Sequence, residues 1–438
     1  MEMTQKPIKQ LFFKYLTAAF GSALVGAVYI LVDMAVIGQC AGPTGTAAIA
    51  LVLPAWSLIC SLGILTGIGG SVLYGHAKGE GGVQKANAMF TAAFIATALL
   101  ALVIWGLMLF FDRQLLQLMG SEGELLDIGL EYLKPLKIAV PVFVFGQMLA
   151  AFLRNDNDPE LATFAVVFTS ILNIIGDYLF TFTFGGGVYG AALATALSNV
   201  LSVAIMLTHF LKKKNTLRFA HPDRLMHAMG RIFAIGFSVF FVDLAMGIMT
   251  MLYNRRILAL LSNDALSVFG AIASLTTVVQ CCSYSIGQAA QPILSANFGA
   301  KKIDRVRQVL KYGVITAVAF GAFWAIVTMG FPTLVIRIFM DATDSVLAIA
   351  PGIMRKYCIG YLFAPFTLFA TYYFQSILKA RASMAISLSR GLLVGAVMLY
   401  ALPPLFGPDS LWFATPIAEI SVALATVWLM RRFTNALQ

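Results

Sequence analysis

Asn173 and Asp177 stand four residues apart in the run TFAVVFTSILNIIGDYLFTFTF, residues 163–184. On a helix they project from nearly the same face, one turn apart. About 20 apolar residues at a 1.5 Å rise cover the roughly 30 Å of a bilayer core, so this run is long enough to cross one. An ionised carboxylate at that depth is costly unless it is paired, hydrated or bound to a cation. A second acid, Asp33, lies in the first apolar stretch, VYILVDMAVIG, and Thr195 lies in GAALATALS. These four oxygen donors suit either of two chemistries. A hard monovalent cation such as Na⁺ takes several oxygen ligands, and a proton takes a carboxylate whose affinity is tuned by burial or by a neighbouring acid. The plainer alternative is that both acids only hydrogen-bond between helices. Thr195 by itself also fits a small-residue packing face.

Two more acids sit in apolar runs of the second half, Asp243 in VFFVDLAMG and Glu419 in ATPIAEISVAL. Either they line a cavity for a cationic substrate, or they pair with Arg390 or a backbone group. Tyr29, one turn before Asp33, either offers an aromatic wall to a cation or simply packs. Gln280, with Gln288 and Gln291 on the same run, adds polarity to such a cavity or hydrogen-bonds between helices. The segment Arg154-Asn155-Asp156-Asn157-Asp158-Pro159 reads as a turn tethered by ion pairs.

The elements that must position these residues are membrane helices. Of the 438 residues 60% are hydrophobic and only 11% charged, far from the roughly one quarter charged of soluble domains. The chain is therefore expected to be an all-α polytopic membrane protein, its apolar runs giving about twelve spans. Their approximate limits are 12–37, 46–74, 88–111, 131–152, 161–184, 187–210, 231–253, 266–291, 310–335, 349–373, 383–405 and 409–430. A net charge of +10 does not imply nucleic acid, because Lys and Arg lie in short loops between spans. Basic residues concentrate at Lys6–Lys14, at Lys78 and Lys85, at Lys212–Arg224, at Lys301–Arg307, at Lys379 and Arg381, and at Arg431 and Arg432. The alternate loops carry acids such as Glu122, Glu124, Asp127 and Asp341. By the positive-inside rule both termini are expected in the cytoplasm. The first apolar run continues past signal-peptide length to Gly38 without a small-residue cleavage site, and reads as a retained span.

An internal repeat is visible. YGHAKGEGGVQKANAMF after span 2 resembles SANFGAKKIDRVRQVL after span 8. Aligning Gly79 with Gly299 and carrying roughly the same offset back puts Asp33 opposite Asn254, so the halves share topology but not chemistry. The expected organisation is an N-lobe (1–210, spans 1–6), a cytoplasmic loop (211–230) and a C-lobe (231–438, spans 7–12), forming two pseudo-symmetric lobes of six helices. An even span count gives both halves the same orientation, as in carriers built from parallel repeats.

Enzyme chemistry finds no footing. The four histidines (His76, His209, His221, His227) lie at span edges outside any HExxH pattern, and neither GxSxG nor a P-loop occurs. The five cysteines form no CxxC pair, so they read as small buried hydrophobes rather than a disulfide or zinc framework. No cofactor is expected; transport would draw on an ion gradient.

Two six-span halves, VDMAVIGQCAG around Asp33, RNDNDP after span 4 and QPILSANFGAKKIDRV after span 8 together resemble the multidrug and toxic compound extrusion (MATE) transporters. The likeness covers the whole chain and is nearest the bacterial MepA/DinF-like branch. It implies export of small cationic amphipathic compounds in exchange for Na⁺ or H⁺, by a monomer in the bacterial inner membrane. The expected partners are then organic cations and membrane lipid. It also implies a coupling-cation site in the first lobe at Asp33, Asn173, Asp177 and Thr195, and a weaker role for Asp243. Two features depart from the family. Span 1 lacks the proline that bends it in many relatives, which leaves Gly21 and Gly26 to bend it. Asn157 stands where a glycine is usual, a small change because Asn tolerates similar backbone angles.

The rival from the same superfamily is a lipid-linked oligosaccharide flippase, which wants a strongly cationic cavity for pyrophosphate. Only Arg390 is a deep basic residue here. An integral membrane enzyme and a passive channel are further rivals: the first lacks a nucleophile or metal constellation, and the second has no need of a two-lobe repeat.

Overall fold

The computed structural model describes residues 2–339 and 343–435; Asp341 and the side chain of Pro54 lie outside what it describes. Every regular element among these residues is helical. In chain order they begin with α1 (Glu2–Gln5), α2 (Ile8–Gly79), α3 (Val83–Leu118), α4 (Gly123–Asn155), α5 (Pro159–Tyr178), α6 (Gly187–Leu207) and α7 (Leu225–Leu260). There follow α8 (Asn263–Gly299), α9 (Ile303–Gly330), α10 (Pro332–Phe339), α11 (Asp344–Tyr357), α12 (Ala364–Ser376), α13 (Ala380–Leu388), α14 (Val394–Phe406) and α15 (Ala414–Asn435). Single π-helical turns extend α5 at Leu179–Thr183 and join α13 to α14 at Ser389–Leu393.

Eleven helical stretches among the described residues are long and apolar enough to cross a membrane, so this is a multi-pass membrane protein. The remaining expected span, 12–37, is helical within α2. At 1.5 Å per residue α2 would run over roughly 100 Å if straight. Gly42, at φ 63° and ψ −161°, divides it into two helices. Gly21 and Gly26, expected to bend span 1, keep helical backbone. Thr163 of α5 donates to the Ala18 carbonyl at 2.9 Å, which ties α5 to the turn preceding Gly21. Several helices outrun the apolar limits read from the sequence; α3 begins at Val83 and α8 ends at Gly299. Polar residues such as His76 and Lys78 continue a helix as readily as apolar ones, so hydropathy marks the apolar core and not the helix end.

By contacts the chain divides into two units. The first comprises 1–5 and Thr17–Phe240, the second Lys6–Leu16 and Phe241–Gln438. In the first, α4 packs against α3 and α6, and α5 against α6. Its core includes Ile37, Val52, Met108, Leu133, Val140 and Val144. Close helix approach is set by small residues: a Cβ on Gly67 would lie 2.9 Å from the Met148 Cα of α4. In the second unit α8 packs on α9 and α12, around Tyr253, Phe269, Ile272, Tyr357 and Trp412.

The repeat reappears as backbone geometry. Among the helices that end in left-handed caps, where the second residue past the cap bonds back to the third-last helical carbonyl, four pair up between the halves. The residues holding positive φ are Gly81 (85°) and Lys301 (56°), then Asn157 (62°) and Leu378 (60°). The closing bonds are Gly82 N–H to Ala77 O at 3.0 Å and Lys302 N–H to Asn297 O at 2.9 Å, then Asp158 N–H to Leu153 O at 2.9 Å and Lys379 N–H to Phe374 O at 2.8 Å. Each pair thus occupies matching places in the two halves.

Candidate functional site

Three helices of the first unit bring the four oxygen donors together. Asp33 comes from α2, Asn173 and Asp177 from α5, and Thr195 from α6. All four side chains are buried. Asn173 Nδ2 donates to Asp177 Oδ1 and to Thr195 Oγ1, each at 3.1 Å. One amide therefore spends both its donors fixing the geometry of the group, which the four-residue spacing on α5 permits. Asp33 Oδ2 accepts from the Tyr132 hydroxyl of α4 at 2.9 Å. The charges of Asp33 and Asp177 act on each other. Tyr29, half-buried, lies near enough to Tyr132 to interact with it electrostatically.

Three acceptors remain. Asp33 Oδ1, Asn173 Oδ1 and Asp177 Oδ2 are buried and have no hydrogen-bond partner among the described residues. A buried acceptor left unsatisfied costs about 1–3 kcal/mol, more if charged. Two carboxylates, an amide oxygen and a hydroxyl form a donor set for a proton or a small hard cation. Among the described residues no group of three or more His, Cys, Asp or Glu is placed to hold a metal ion.

The second unit holds a separate polar group. Asp243 Oδ1 accepts from the Tyr284 hydroxyl at 2.5 Å and from Gln280 Nε2 at 3.5 Å, and Gln280 also donates to the Tyr284 oxygen at 3.0 Å. Glu419, buried, faces Arg390 Nε at 2.8 Å and accepts from Thr367 Oγ1 at 2.7 Å. Of the two fates open to Glu419 in the sequence, pairing with Arg390 is the one the geometry displays. Gln280 and Asp243 do meet.

A third cluster surrounds the turn between α4 and α5. Asp156, fully buried, accepts at Oδ1 from Lys78 at 2.5 Å, from Tyr74 at 3.0 Å and from the Thr216 hydroxyl. Its Oδ2 meets His209 Nε2 at 2.8 Å and the Thr216 N–H at 2.7 Å. Asp158 meets His209 Nδ1 at 2.9 Å, Lys212 at 3.1 Å and Lys214 at 2.7 Å. Both ring nitrogens of His209 thus meet carboxylates, which fits an imidazolium donating at both. Burial alone would push the two carboxyls up. Hydrogen bonds from His209 and the lysines outweigh it and hold both well below the usual carboxylate range. The expected ion-pair tether of this turn is present, and it fastens the turn to the end of α2 and to the loop after α6.

Sequence reading missed Tyr132, Tyr284 and His209. Each is an ordinary residue at a span edge or on an apolar helix, and only the fold supplies its acidic partner. The charge density of RNDNDP was the one available signal, and it pointed to the turn but not to the histidine.

A family model described as MatE matches residues 18–179 and 234–401. This chain belongs to the MatE family. Multidrug export protein MepA of Staphylococcus saprophyticus is 24% identical over 414 residues, covering 93% of this chain and 91% of the relative. The protein of the same name from Staphylococcus aureus strain MSSA476 is 26% identical over 420 residues, with the same coverage. Among solved structures, an outward-facing multidrug resistance MATE family transporter of the MOP superfamily superposes with a TM-score of 0.91 at 22% identity, covering 100% of this chain and 98% of the other. A MOP superfamily transporter from Pyrococcus furiosus, described as having a binding pocket of reversed polarity, gives 0.92 at 22% identity and the same coverage. The MatE family is a family of transporters, and the fold of this member is theirs.

Proposed function

We propose that this MatE-family chain is a secondary antiporter that exports small amphipathic organic cations in exchange for Na⁺ or H⁺. It works as a single chain in the bacterial inner membrane with both termini in the cytoplasm. The observation that carries the reading is the set of three buried, unpartnered oxygens on Asp33, Asn173 and Asp177. A coupling cation satisfies them and an empty site leaves them costly, so occupancy favours one conformer over another. That difference is what coupling requires, since a ligand shifts an equilibrium only by its differential affinity for the two states. The names of the MepA relatives support drug-like substrates. Asp243 with Gln280, and Tyr29 near the cation site, are the residues proposed to meet the substrate cation. The flippase alternative is disfavoured because Arg390, its best candidate for a pyrophosphate ligand, is already neutralised by Glu419.

The test is efflux of a fluorescent organic cation from proteoliposomes, driven separately by a Na⁺ gradient and by a pH gradient. Wild type is expected to respond to one of them, and Asp33→Asn to lose that response. Normal driven efflux by Asp33→Asn would refute the site. A wild type that moves no cation under either gradient would refute the function.

A further inference from the structure

In the first unit a cavity of about 560 Å³ lies between α3, α4 and α6 and is lined by apolar side chains alone. Phe90 and Phe94 of α3, Phe145 of α4 and Val203 and Leu207 of α6 form its walls, and Phe219, from the loop after α6, joins the lining. Phe219 is held in place. Phe219 lies tilted against Phe90 at 5.4 Å and edge-on to Phe94 at 5.2 Å. The backbone on either side of it is pinned to α3, by Arg218 N–H to Asn87 Oδ1 at 3.2 Å and Ala220 N–H to Thr91 Oγ1 at 2.9 Å.

Leu207 in the cavity wall belongs to an exposed apolar strip. Val200 and Leu207 of α6 and Leu211 of the turn that follows it are 46%, 49% and 88% exposed, and apolar side chains exposed in this way at a spanning helix face acyl chains. The loop that supplies Phe219 is basic. Lys213 and Arg218 are exposed and have no ion-pair partner among the described residues. They differ from Lys212 and Lys214, which Asp158 engages. No acid lines the cavity. A basic loop that reaches an apolar slot through Phe219 repels the organic cations proposed as cargo and complements an amphipathic anion.

We propose that this cavity binds one acyl chain of an anionic phospholipid, with Lys213 and Arg218 holding its phosphodiester. A basic juxtamembrane cluster attracts anionic lipid by about 1 kcal/mol per charge, and the cavity volume falls in the roughly 300–1,000 Å³ range of ligand sites. The lipid would pack the Phe219 strap onto α3 and so stiffen the loop that leads to α7.

Native mass spectrometry of the full-length protein, with phosphatidylglycerol or phosphatidylcholine added at equal concentration, tests this. Wild type is expected to retain phosphatidylglycerol in preference to phosphatidylcholine. Lys213→Ala combined with Arg218→Ala is a surface change that leaves the packing intact, and should reduce that preference by about fivefold for each charge. Leu207→Trp, which fills the slot from an exposed position, should abolish retention of either lipid. Unchanged preference in the double variant would overturn the proposal, as would undiminished retention in Leu207→Trp. Tetraphenylphosphonium binding that Leu207→Trp abolishes, with lipid retention intact, would overturn it too and assign the cavity to substrate.

Discussion

Tyr132 of α4 donates its hydroxyl to Asp33 Oδ2 at 2.9 Å and thereby leaves Oδ1 as the free oxygen of that carboxylate. The phenol orients the acid and does not occupy the face offered to a cation. A hydrogen bond to a charged group is worth about 1.5–3 kcal/mol. Tyr132→Phe keeps the ring and removes the donor, so the coupling-cation concentration for half-maximal efflux should rise about tenfold with protein yield unchanged. An unaltered cation dependence would reduce Tyr132 to packing.

Thr195 separates the two candidate ions. Its hydroxyl accepts from Asn173 at 3.1 Å and is the fourth oxygen of the group. Na⁺ needs several oxygens whereas a proton needs only a carboxylate. Thr195→Val, nearly isosteric, should therefore weaken Na⁺-driven efflux well over tenfold and leave pH-driven efflux within about fivefold, the cost of one neutral hydrogen bond being about 1 kcal/mol. Efflux measured under each gradient decides between them.

His209 joins two carboxylates that nothing else joins among the described residues. Breaking a buried ion pair by removing one partner costs about 3–5 kcal/mol, so His209→Leu should sharply lower the melting temperature in detergent. The pH dependence follows from the acids. Asp156 and Asp158 are held below their ordinary values, so they contribute stability that is fully present above about pH 4 and is lost as pH falls through their lowered values. Melting of the wild type should hence be flat in this respect from pH 8 to 5 and fall below 4. Asp156→Asn should be less stable at neutral pH and show a shallower acid limb. An acid limb as steep as that of the wild type would remove Asp156 from its cause.

Lys301 and Leu378 stand at φ 56° and 60°, where an L side chain costs roughly 1–2 kcal/mol that glycine does not incur. Lys301 is exposed, so Lys301→Gly should raise stability by about 1 kcal/mol. Leu378 is half-buried, and part of the gain at Leu378→Gly is offset by lost packing. Thermal melts of both variants check this; a lower melting temperature for Lys301→Gly would show that the cap tolerates lysine without strain.

Much of this was legible in the sequence because lipid imposes simple rules: a spanning segment must be helical and apolar, and an acid inside one stands out. Asp33 and Asp177 were visible for that reason, and Asn173 by its spacing from Asp177. The spans were placed well, while helix ends such as Gly79 and Gly299 were not, since polar helical turns outside the bilayer core leave no hydropathy signal. The break at Gly42 falls in the gap left between spans 12–37 and 46–74, and only the residue that makes it was hidden. Tyr132, Tyr284 and His209 were hidden because their partners lie 99, 41 and 51–53 residues away, a distance only tertiary folding closes.

Glu419 and Arg390 give the sharpest contrast between a substrate role and a structural one. They face each other at 2.8 Å with side chains 6% and 10% exposed. If the pair is structural, Glu419→Gln strands a buried guanidinium and should cost about 3–5 kcal/mol, while Glu419→Leu with Arg390→Leu should recover most of it, because a buried ion pair is often replaceable by apolar side chains. The double variant should also transport, since neither charge is then needed by the cargo. If instead Glu419 receives the substrate cation, the double variant will fold and fail to export. Melting temperature and efflux measured on the same preparation separate the two, and stable protein without transport would return Glu419 to the substrate path.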